Sequence, residues 1–312
     1  MDADSLPLGR SVRRAVRGAR ALGPVASPTQ LARSLGRVAQ ATAAPLLPAR
    51  SLSAAVGGRV VLVTGASQGI GRATAAQVAA AGATTLVVAR SAAQLGELVE
   101  EIEDAGGSAR AYPADLSDMA AIEALVAQLA EDGLKVDVLI NNAARSIRRS
   151  VAQSYRRFHD YERTMRLNYF APVRLTLAVL PGMRERHRGH IVNVSTLGVQ
   201  TSTPRFSAYL ASKAALEAFA RVAAAECIGD GVRFTTVHMP LVRTAMSEPT
   251  RLYQAMPALS PEAAGEMICG ALRTRAELVG PRIGAVAEVS RAISPATSTE
   301  VLHALYRAVP EP

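Results

Sequence analysis

The run R-V-V-L-V-T-G-A-S-Q-G-I-G, residues 59–71, decides the fold class of this 312-residue chain. After Arg59 it is apolar and β-branched for several residues, which predicts a short strand, and its glycines then predict a tight turn that opens a helix. Gly65, Gly69 and Gly71 permit a pyrophosphate to approach the backbone closely, at a helix start whose free N–H groups face the anion. A plain strand-to-helix turn also favours glycine, so the run alone leaves both interpretations open.

The alternation of strand and helix continues along the chain. Short runs rich in Val, Ile and Thr alternate with helical stretches, and these runs are apolar on both faces. Strands of this kind predict a parallel sheet covered on both sides, a Rossmann-type doubly wound α/β fold that binds its ligand at the carboxyl ends of the strands. The predicted strands are residues 59–64, 84–89, 109–112, 136–140, 190–194 and 232–238.

Composition bounds the class of protein. With 49% hydrophobic and 20% charged residues, the chain can bury a sizeable core. Cys227 and Cys269 have no paired spacing and no neighbouring ligand cluster, which predicts reduced core thiols and no metal site. No apolar run approaches the ~18 residues of a membrane span, and no secretory signal follows the N-terminus. We therefore expect a cytoplasmic protein.

Most of the formal charge of +9 lies in an N-terminal arm. Residues 1–56 hold eight arginines against Asp2 and Asp4, and they are rich in Ala, Ser, Pro and Gly. Three interpretations stay open, in decreasing order of preference: a disordered tail, a contact with an anionic membrane surface, and a mitochondrial transit peptide. The arm lacks interleaved aromatics, so nucleic-acid binding is not expected. We predict a catalytic domain over residues 57–275 and a C-terminal helical extension over 276–312.

The end of the second strand bears on the cofactor. A site for NAD places an acid about 20 residues beyond the glycine turn, on the ribose 2′-hydroxyl. This chain has Val88-Ala89-Arg90-Ser91 there, with no carboxylate. Because the planar fork of Arg90 can grip a 2′-phosphate, we predict NADPH. The alternative is an exposed arginine in an arginine-rich protein.

A second motif is S-A-Y-L-A-S-K-A-A-L, residues 207–216, which contains one of only two lysines in the chain. On a helix, Tyr209 and Lys213 share one face. A phenol is a poor acid at pH 7, with a pKa of about 10, unless a neighbouring charge stabilises the phenolate. The ammonium of Lys213 is expected to lower the pKa of Tyr209. A solvated helix face is the alternative, although the many small neighbours favour a packed helix.

Together these segments resemble the short-chain dehydrogenase/reductases over residues 58–250. The glycine motif of residues 64–71, the triplet Asn141-Asn142-Ala143, Asn168, and Tyr209-x-x-x-Lys213 stand in that family's order and spacing. The resemblance implies Tyr209 as the proton donor, Lys213 on the nicotinamide ribose, and Asn168 as the holder of a relay water. The cofactor-binding residues implied are Gly65, Ser67, Gly69, Ile70, Gly71, Arg90, Asp115, Asn142, Ala143, Tyr209, Lys213, Val242 and Thr244.

The chain departs from the family pattern at three places. The position of the catalytic serine holds Thr196, which keeps the hydroxyl but restricts its rotamers, and Ser195 is the fallback donor. Ala144 replaces the glycine of the asparagine motif, which removes backbone freedom. The usual Pro-Gly before the nicotinamide loop is replaced within residues 239–244, where the resemblance implies that Val242 and Thr244 serve the carboxamide.

A closer resemblance is to the bacterial fatty acyl-CoA reductases of this superfamily. Residues 144–151, 157–170, 204–216 and 238–244 carry it. It implies reduction of a long-chain acyl-CoA to a fatty aldehyde with NADPH. Two alternatives remain: a reductase of another carbonyl, and a non-catalytic NADP-binding protein.

Three further expectations concern residues around the site. Arg145, Arg148 and Arg149 follow the cofactor loop and either meet CoA phosphates or form a solvated basic helix. The pair His159-Asp160 is expected to be structural. By analogy with relatives, a homo-oligomer is expected, paired through the helices that end near Pro181 and Cys227.

Overall fold

The computed structural model describes residues 50–248 and 250–308 and contains a sheet of seven parallel strands. Each predicted strand is present with slightly shifted ends, and a seventh was not predicted because it is only two residues long. The strands are β1 (Val60–Thr64), β2 (Thr84–Ala89), β3 (Ser108–Pro113), β4 (Val138–Asn141), β5 (Gly189–Thr196), β6 (Val232–Met239) and β7 (Leu278–Val279).

Helices cover both faces of this sheet, which confirms the predicted Rossmann-type doubly wound fold. Several begin at side-chain caps; Ser91, for example, accepts a hydrogen bond from the backbone N–H of Gln94. The α-helices are α1 (Leu52–Val56), α2 (Gly69–Ala80), α3 (Ala92–Asp104), α4 (Met119–Glu131), α5 (His159–Met165), α6 (Ala171–Glu185), α7 (Leu197–Thr201), α8 (Ser207–Cys227), α9 (Arg251–Gln254), α10 (Pro261–Thr274), α11 (Arg282–Ile293) and α12 (Pro295–Ala308).

The core consists of two apolar layers, one on each face. Helices α1, α2, α3 and α10 pack on one face, where Leu95 and Ile268 are fully buried. Helices α4, α6 and α8 pack on the other face, where Ile122 and Leu175 are fully buried. Each such side chain stabilises the fold by about 1.5–3 kcal/mol relative to exposure. Packing on both faces thus holds the ends of the strands, and the residues that follow them, in fixed positions.

The strand order β3-β2-β1-β4-β5-β6-β7 indicates where a ligand would bind. The chain leaves β1 toward β2 and β3, and then returns to place β4 on the other side of β1. Connections to opposite sides open a crevice at the carboxyl ends of β1 and β4. The glycine turn of residues 64–71 lies at this crevice.

The structure moves the predicted boundary of the N-terminal arm. Residues 52–56 belong to helix α1, whose Ala55 and Val56 are buried against the core, and Ser51 caps the helix by accepting from the N–H of Ala54. The folded unit therefore includes residues assigned to the arm. Residues 1–49 lie outside the described chain, so the expectations for them stay predictions.

The C-terminal segment begins with a strand rather than a helix. Strand β7 pairs with β6, and helices α11 and α12 follow. Within residues 50–248 and 250–308, no helix is both long enough and apolar enough to span a membrane.

Candidate active site

A cavity of about 750 Å³ opens at the carboxyl ends of β1, β2, β4, β5 and β6. Its volume lies within the ~300–1,000 Å³ typical of ligand sites. Most of the residues predicted from the sequence line it, but Gly71 and Asn168 do not. The predicted residues in its wall are Gly65, Ser67, Gly69, Ile70, Arg90, Asp115, Asn142, Ala143, Ser195, Thr196, Tyr209, Lys213, Val242 and Thr244.

The glycine turn needs glycine for steric reasons. Gly65 has φ +67°, and a Cβ there would lie 2.8 Å from Cα of Ala143. Gly71 lies beneath the turn, where a Cβ would lie 2.2 Å from the carbonyl oxygen of Gly65. No side chain in the described chain caps helix α2 at Gln68, so its first N–H groups face the cavity. The turn and the helix start thus fit the pyrophosphate of a dinucleotide.

Thr64 and Asn142 hold this turn against the end of β4. Thr64 Oγ1 accepts from the N–H groups of Asn142 and Ala143, both at 3.0 Å. Asn142 Nδ2 donates to the carbonyl oxygens of Thr64 at 2.9 Å and Gly65 at 3.2 Å. Asn142 therefore shapes the cofactor channel through main-chain contacts. Thr64, the last residue of β1, was not among the residues predicted for the site.

The end of the cavity beside β2 and β3 contains Asp115, which feels the charges of two arginines. Asp115 Oδ1 accepts from Ser117 N at 2.9 Å and Ser117 Oγ at 2.7 Å. The pKa of Asp115 is lowered by these hydrogen bonds and by the charges of Arg90 and Arg145, against burial. Of the described residues that line the cavity, Asp115 alone has a carboxylate, and it follows β3 rather than β2. The end of β2 presents exposed Arg90 instead.

Tyr209 meets the hydroxyl of Thr196 rather than that of Ser195. Tyr209 and Thr196 share a hydrogen bond, and Thr196 Oγ1 also accepts from the N–H of Gly198 at 3.2 Å. The Ser195 hydroxyl donates instead to Glu217, on the buried side. Successive side chains of a strand point to opposite faces, which is why only one of the two hydroxyls can face Tyr209. The geometry favours Thr196 as the hydroxyl partner.

Burial dominates the protonation of the Tyr209–Lys213 pair. It raises the pKa of Tyr209 to about 12, against the hydrogen bond with Thr196. It lowers the pKa of Lys213 to about 8, against the charge of Glu217. The expected lowering of the pKa of Tyr209 is thus wrong for this structure. Lys213 Nζ donates to the carbonyl oxygen of Val194 at 2.6 Å. At pH 7 the pair presents a neutral phenol, a proton donor, beside a charged ammonium.

Asn168 lies beside the cavity, in a π-helical turn over Arg166–Phe170 that joins α5 to α6. Its Oδ1 accepts from the N–H of Arg145 at 2.8 Å, and its Nδ2 donates to the carbonyl oxygen of Arg145 and to Ser212 Oγ, both at 2.9 Å. Both amide donors are therefore used, and the side chain ties the loop after β4 to helix α8. The side chain positions this loop, and its relay role stays a prediction.

An aromatic wall on the far side of Tyr209 was missed from the sequence. Phe206 stacks on Tyr253 with ring centroids 6.4 Å apart, and it meets Tyr209 edge-on at the same distance. Met246 and Met256 also line this half of the cavity. Phe206 stands close to the Tyr209 motif, but Tyr253 belongs to the four-residue helix α9, which no sequence pattern indicates. The cavity thus joins a polar half to an apolar one.

Asp160 is the centre of an ion-pair cluster outside the cavity lining. The buried carboxylate lies 3.1 Å from Arg149, 3.1 Å from Arg157, 2.5 Å from Arg163 and 3.3 Å from His159. Although burial opposes it, these arginines lower the pKa of Asp160. These ion pairs hold α5 against the loop after β4, as expected of a pair with a structural role.

Comparison with known proteins agrees with this geometry. The family model "short chain dehydrogenase" matches residues 59–255. An uncharacterized oxidoreductase of Mycobacterium bovis is 51% identical over 81% of this chain and 75% of its own length. A fatty acyl-CoA reductase of Acinetobacter baylyi is 49% identical over 77% of this chain and 81% of its own. The crystal structure of a metagenomic short-chain oxidoreductase in complex with NADP has a TM-score of 0.61 and 32% identity, covering 72% of this chain and 94% of that one. The glycine turn, the Tyr209–Thr196 pair and Lys213 on this sheet therefore belong to an oxidoreductase of the short-chain dehydrogenase/reductase superfamily, similar to the fatty acyl-CoA reductases.

Proposed function

We propose that this oxidoreductase uses NADPH to reduce a long-chain acyl-CoA to a fatty aldehyde and CoA. The observation that carries the proposal is the position of the Tyr209 and Thr196 hydroxyls, at the junction of the glycine turn and the aromatic wall. A carbonyl group bound there would have its polar oxygen on the hydroxyls and its chain on apolar side chains. The similarity to fatty acyl-CoA reductases supports the thioester as the substrate class.

Arg90 supports NADPH over NADH. It stands on the cavity rim at the end of β2, where an acid would meet a ribose 2′-hydroxyl, and Arg145 is a second cation near Asp115. A solved relative of this fold holds NADP. Changing Arg90→Asp should weaken NADPH binding and favour NADH, because it replaces a phosphate-binding cation with a carboxylate.

The matched control for that change is Arg233→Asp. Arg233 is also an exposed arginine, but it lies on β6 near the amino end of the sheet. Fluorescence titration with NADPH and NADH should show the change in cofactor preference for Arg90→Asp and not for Arg233→Asp. Tighter binding of NADH than NADPH by the unmodified protein would refute the cofactor assignment.

In the proposed reaction, three side chains act on the bound carbonyl group. When bound, NADPH supplies the hydride for the thioester carbon. The hydroxyls of Tyr209 and Thr196 bind the carbonyl oxygen, and their hydrogen bonds strengthen as negative charge develops on it. Tyr209 then gives this oxygen a proton, and Lys213 stabilises the phenolate left behind. The resulting hemithioacetal loses the CoA thiol and leaves the aldehyde.

Arg148 is the proposed contact for CoA phosphates. Burial raises the pKa of Tyr253 to about 12, and the nearby charge of Arg148 opposes that rise. Arg148 therefore lies close to the aromatic wall, whereas Arg149 is committed to Asp160. A guanidinium near Tyr253 but outside the cavity lining suits a phosphate that stays outside while the acyl group enters.

Pairing through α6 and α8 is the proposed mode of oligomerisation. Leu177 on α6 and Val222 on α8 are large apolar side chains that are at least half exposed. Apolar side chains on both helices support the expectation that a second copy covers them.

The test supplies NADPH with palmitoyl-CoA, a fatty aldehyde or a simple ketone and follows cofactor oxidation. Tyr209→Phe is the control, since it removes the proton donor and leaves the ring in place; NADPH should still bind while most turnover is lost. Oxidation with the ketone alone would refute the acyl-CoA proposal and support a general carbonyl reductase. Full turnover by Tyr209→Phe would refute the role of Tyr209.

A further inference from the structure

A buried polar cluster lies behind Tyr209 and Lys213, and the proposed reaction does not use it. Glu217 stands one turn after Lys213 on α8, so Tyr209, Lys213 and Glu217 follow one face of the helix at four-residue spacing. The Ser195 hydroxyl donates to Glu217 Oε1 from β5. His238 Nε2 lies 2.9 Å from the same oxygen, from β6.

The cluster needs a charge partner. Burying a lone carboxylate costs several kcal/mol, and in that case the group takes up a proton unless it is paired. Ser195 and His238 each offer Glu217 one hydrogen bond. Among the described residues, the cation near Glu217 is Lys213, which is itself buried, donates to the carbonyl oxygen of Val194 and feels the charge of Glu217. Each buried charge is thus the natural partner of the other.

Adjacent strands bring the two supporting residues together. Ser195 and His238 are direct partners in the register of β5 and β6. Within the described chain, His238 Nδ1 is buried without a hydrogen-bond partner, which fits a neutral ring whose Nε2–H donates to Glu217. A neutral His238 leaves Lys213 to balance the carboxylate.

We propose that Glu217 is a positioning residue of the active site, whose buried carboxylate keeps the Lys213 ammonium charged and fixed beneath Tyr209, while Ser195 and His238 hold that carboxylate in place. The inference rests on the proposed roles of Tyr209 and Lys213. It does not depend on which carbonyl compound is reduced.

The titratable groups around Lys213 are few. Helix α8 contributes Tyr209 and Glu217, β6 contributes His238, and α9 contributes Tyr253, which acts on Tyr209. At pH 7 the phenols are neutral, because burial raises the pKa of both to about 12. Removing the charge of Glu217 should therefore lower the pKa of Lys213 by about one unit or more, from its value of about 8.

The chain is well suited to a direct measurement because Lys135 and Lys213 are its only lysines. Protein labelled with ¹³C at lysine Cε gives two signals, and Lys135→Arg assigns them. We would titrate the cofactor-free protein, Glu217→Gln, and the control Glu226→Gln, which removes an exposed carboxylate from the same helix. The midpoint of the Lys213 titration should move to lower pH in Glu217→Gln only. In Glu217→Asp, which keeps a carboxylate, the midpoint should return most of the way to its original pH.

The alkaline limit of turnover should move with this midpoint, because Lys213 acts as the ammonium. If Glu217→Gln does not fold, Ser195→Ala serves instead: it removes one hydrogen bond from the carboxylate and should give a smaller shift in the same direction. An unchanged Lys213 midpoint in a folded variant would overturn the proposal and leave Glu217 with a purely structural role. This titration can succeed or fail whether or not acyl-CoA is the substrate.

Discussion

Gly71→Ala should disable the cofactor site although Gly71 does not line the cavity. The added Cβ would lie 2.2 Å from the carbonyl oxygen of Gly65 and 2.6 Å from Asn142 Nδ2. A carbon and an oxygen normally approach to about 3.3 Å, so helix α2 must move roughly 1 Å away from the turn. The obstructing atom belongs to the backbone and cannot rotate away.

The size of the effect follows from this displacement. Overpacking of this kind costs about 1–3 kcal/mol of folding free energy. A misplacement of about 1 Å at a binding site can cost on the order of 100-fold in turnover. Weaker NADPH binding is expected as well, because the N–H groups of α2 move away from the pyrophosphate.

Gly96→Ala is the matched control. Gly96 lies inside helix α3, and a Cβ there would meet no atom within 4 Å. Since glycine in a helix interior is less stable than alanine, this change should stabilise the protein by about 0.5–1 kcal/mol and leave binding unchanged. Fluorescence titration with NADPH and thermal denaturation of both variants make the comparison. Equal NADPH affinity in the two variants would refute the assignment of the glycine turn to the cofactor.

Three further predictions concern other parts of the molecule. Thr196→Ala should reduce kcat more than Ser195→Ala, and the reverse order in steady-state assays would move the hydroxyl role to Ser195. Burial lowers the pKa of His190 from 6.5 to about 3, so the unfolded state binds a proton that the folded state does not. Stability should therefore fall as pH drops below 6.5, by at most about 1.4 kcal/mol per unit, and urea unfolding should show less loss in a folded His190→Gln variant. A chain that starts at Arg50 should have the melting temperature of the full protein. A chain that starts at Gly57 should melt at a lower temperature, because it lacks helix α1 and its buried Ala55 and Val56; equal melting temperatures would contradict this packing.

The sheet and the placement of Tyr209 beside Lys213 could be predicted because local patterns specify them. Apolar runs rich in β-branched residues mark five of the seven strands, and the spacing of Tyr209 and Lys213 places both on one helix face. The glycines of residues 64–71 mark the turn, since sterics leave no room for a side chain at Gly65 or Gly71. These features depend on neighbours in sequence.

The features that could not be predicted depend on residues distant in sequence. Tyr253 reaches the cavity from helix α9, which is too short to show a periodic pattern, and Glu217 meets His238 only because α8 packs against β6. The pKa of Tyr209 was predicted in the wrong direction, since a sequence shows the neighbouring lysine but not the depth of burial. Helix α1, inside the predicted arm, was not predicted either, because five residues are too few to give it a visible pattern.

The most direct test of the proposed function counts the free thiol released from palmitoyl-CoA against the NADPH consumed. A thioester reductase expels CoA, whereas a ketone reductase with the same Tyr209 and Lys213 expels nothing. We expect one thiol per NADPH when the aldehyde is the final product, and half as much when the aldehyde is reduced again. NADPH oxidation with aldehydes or ketones, but no thiol release from any acyl-CoA, would contradict it.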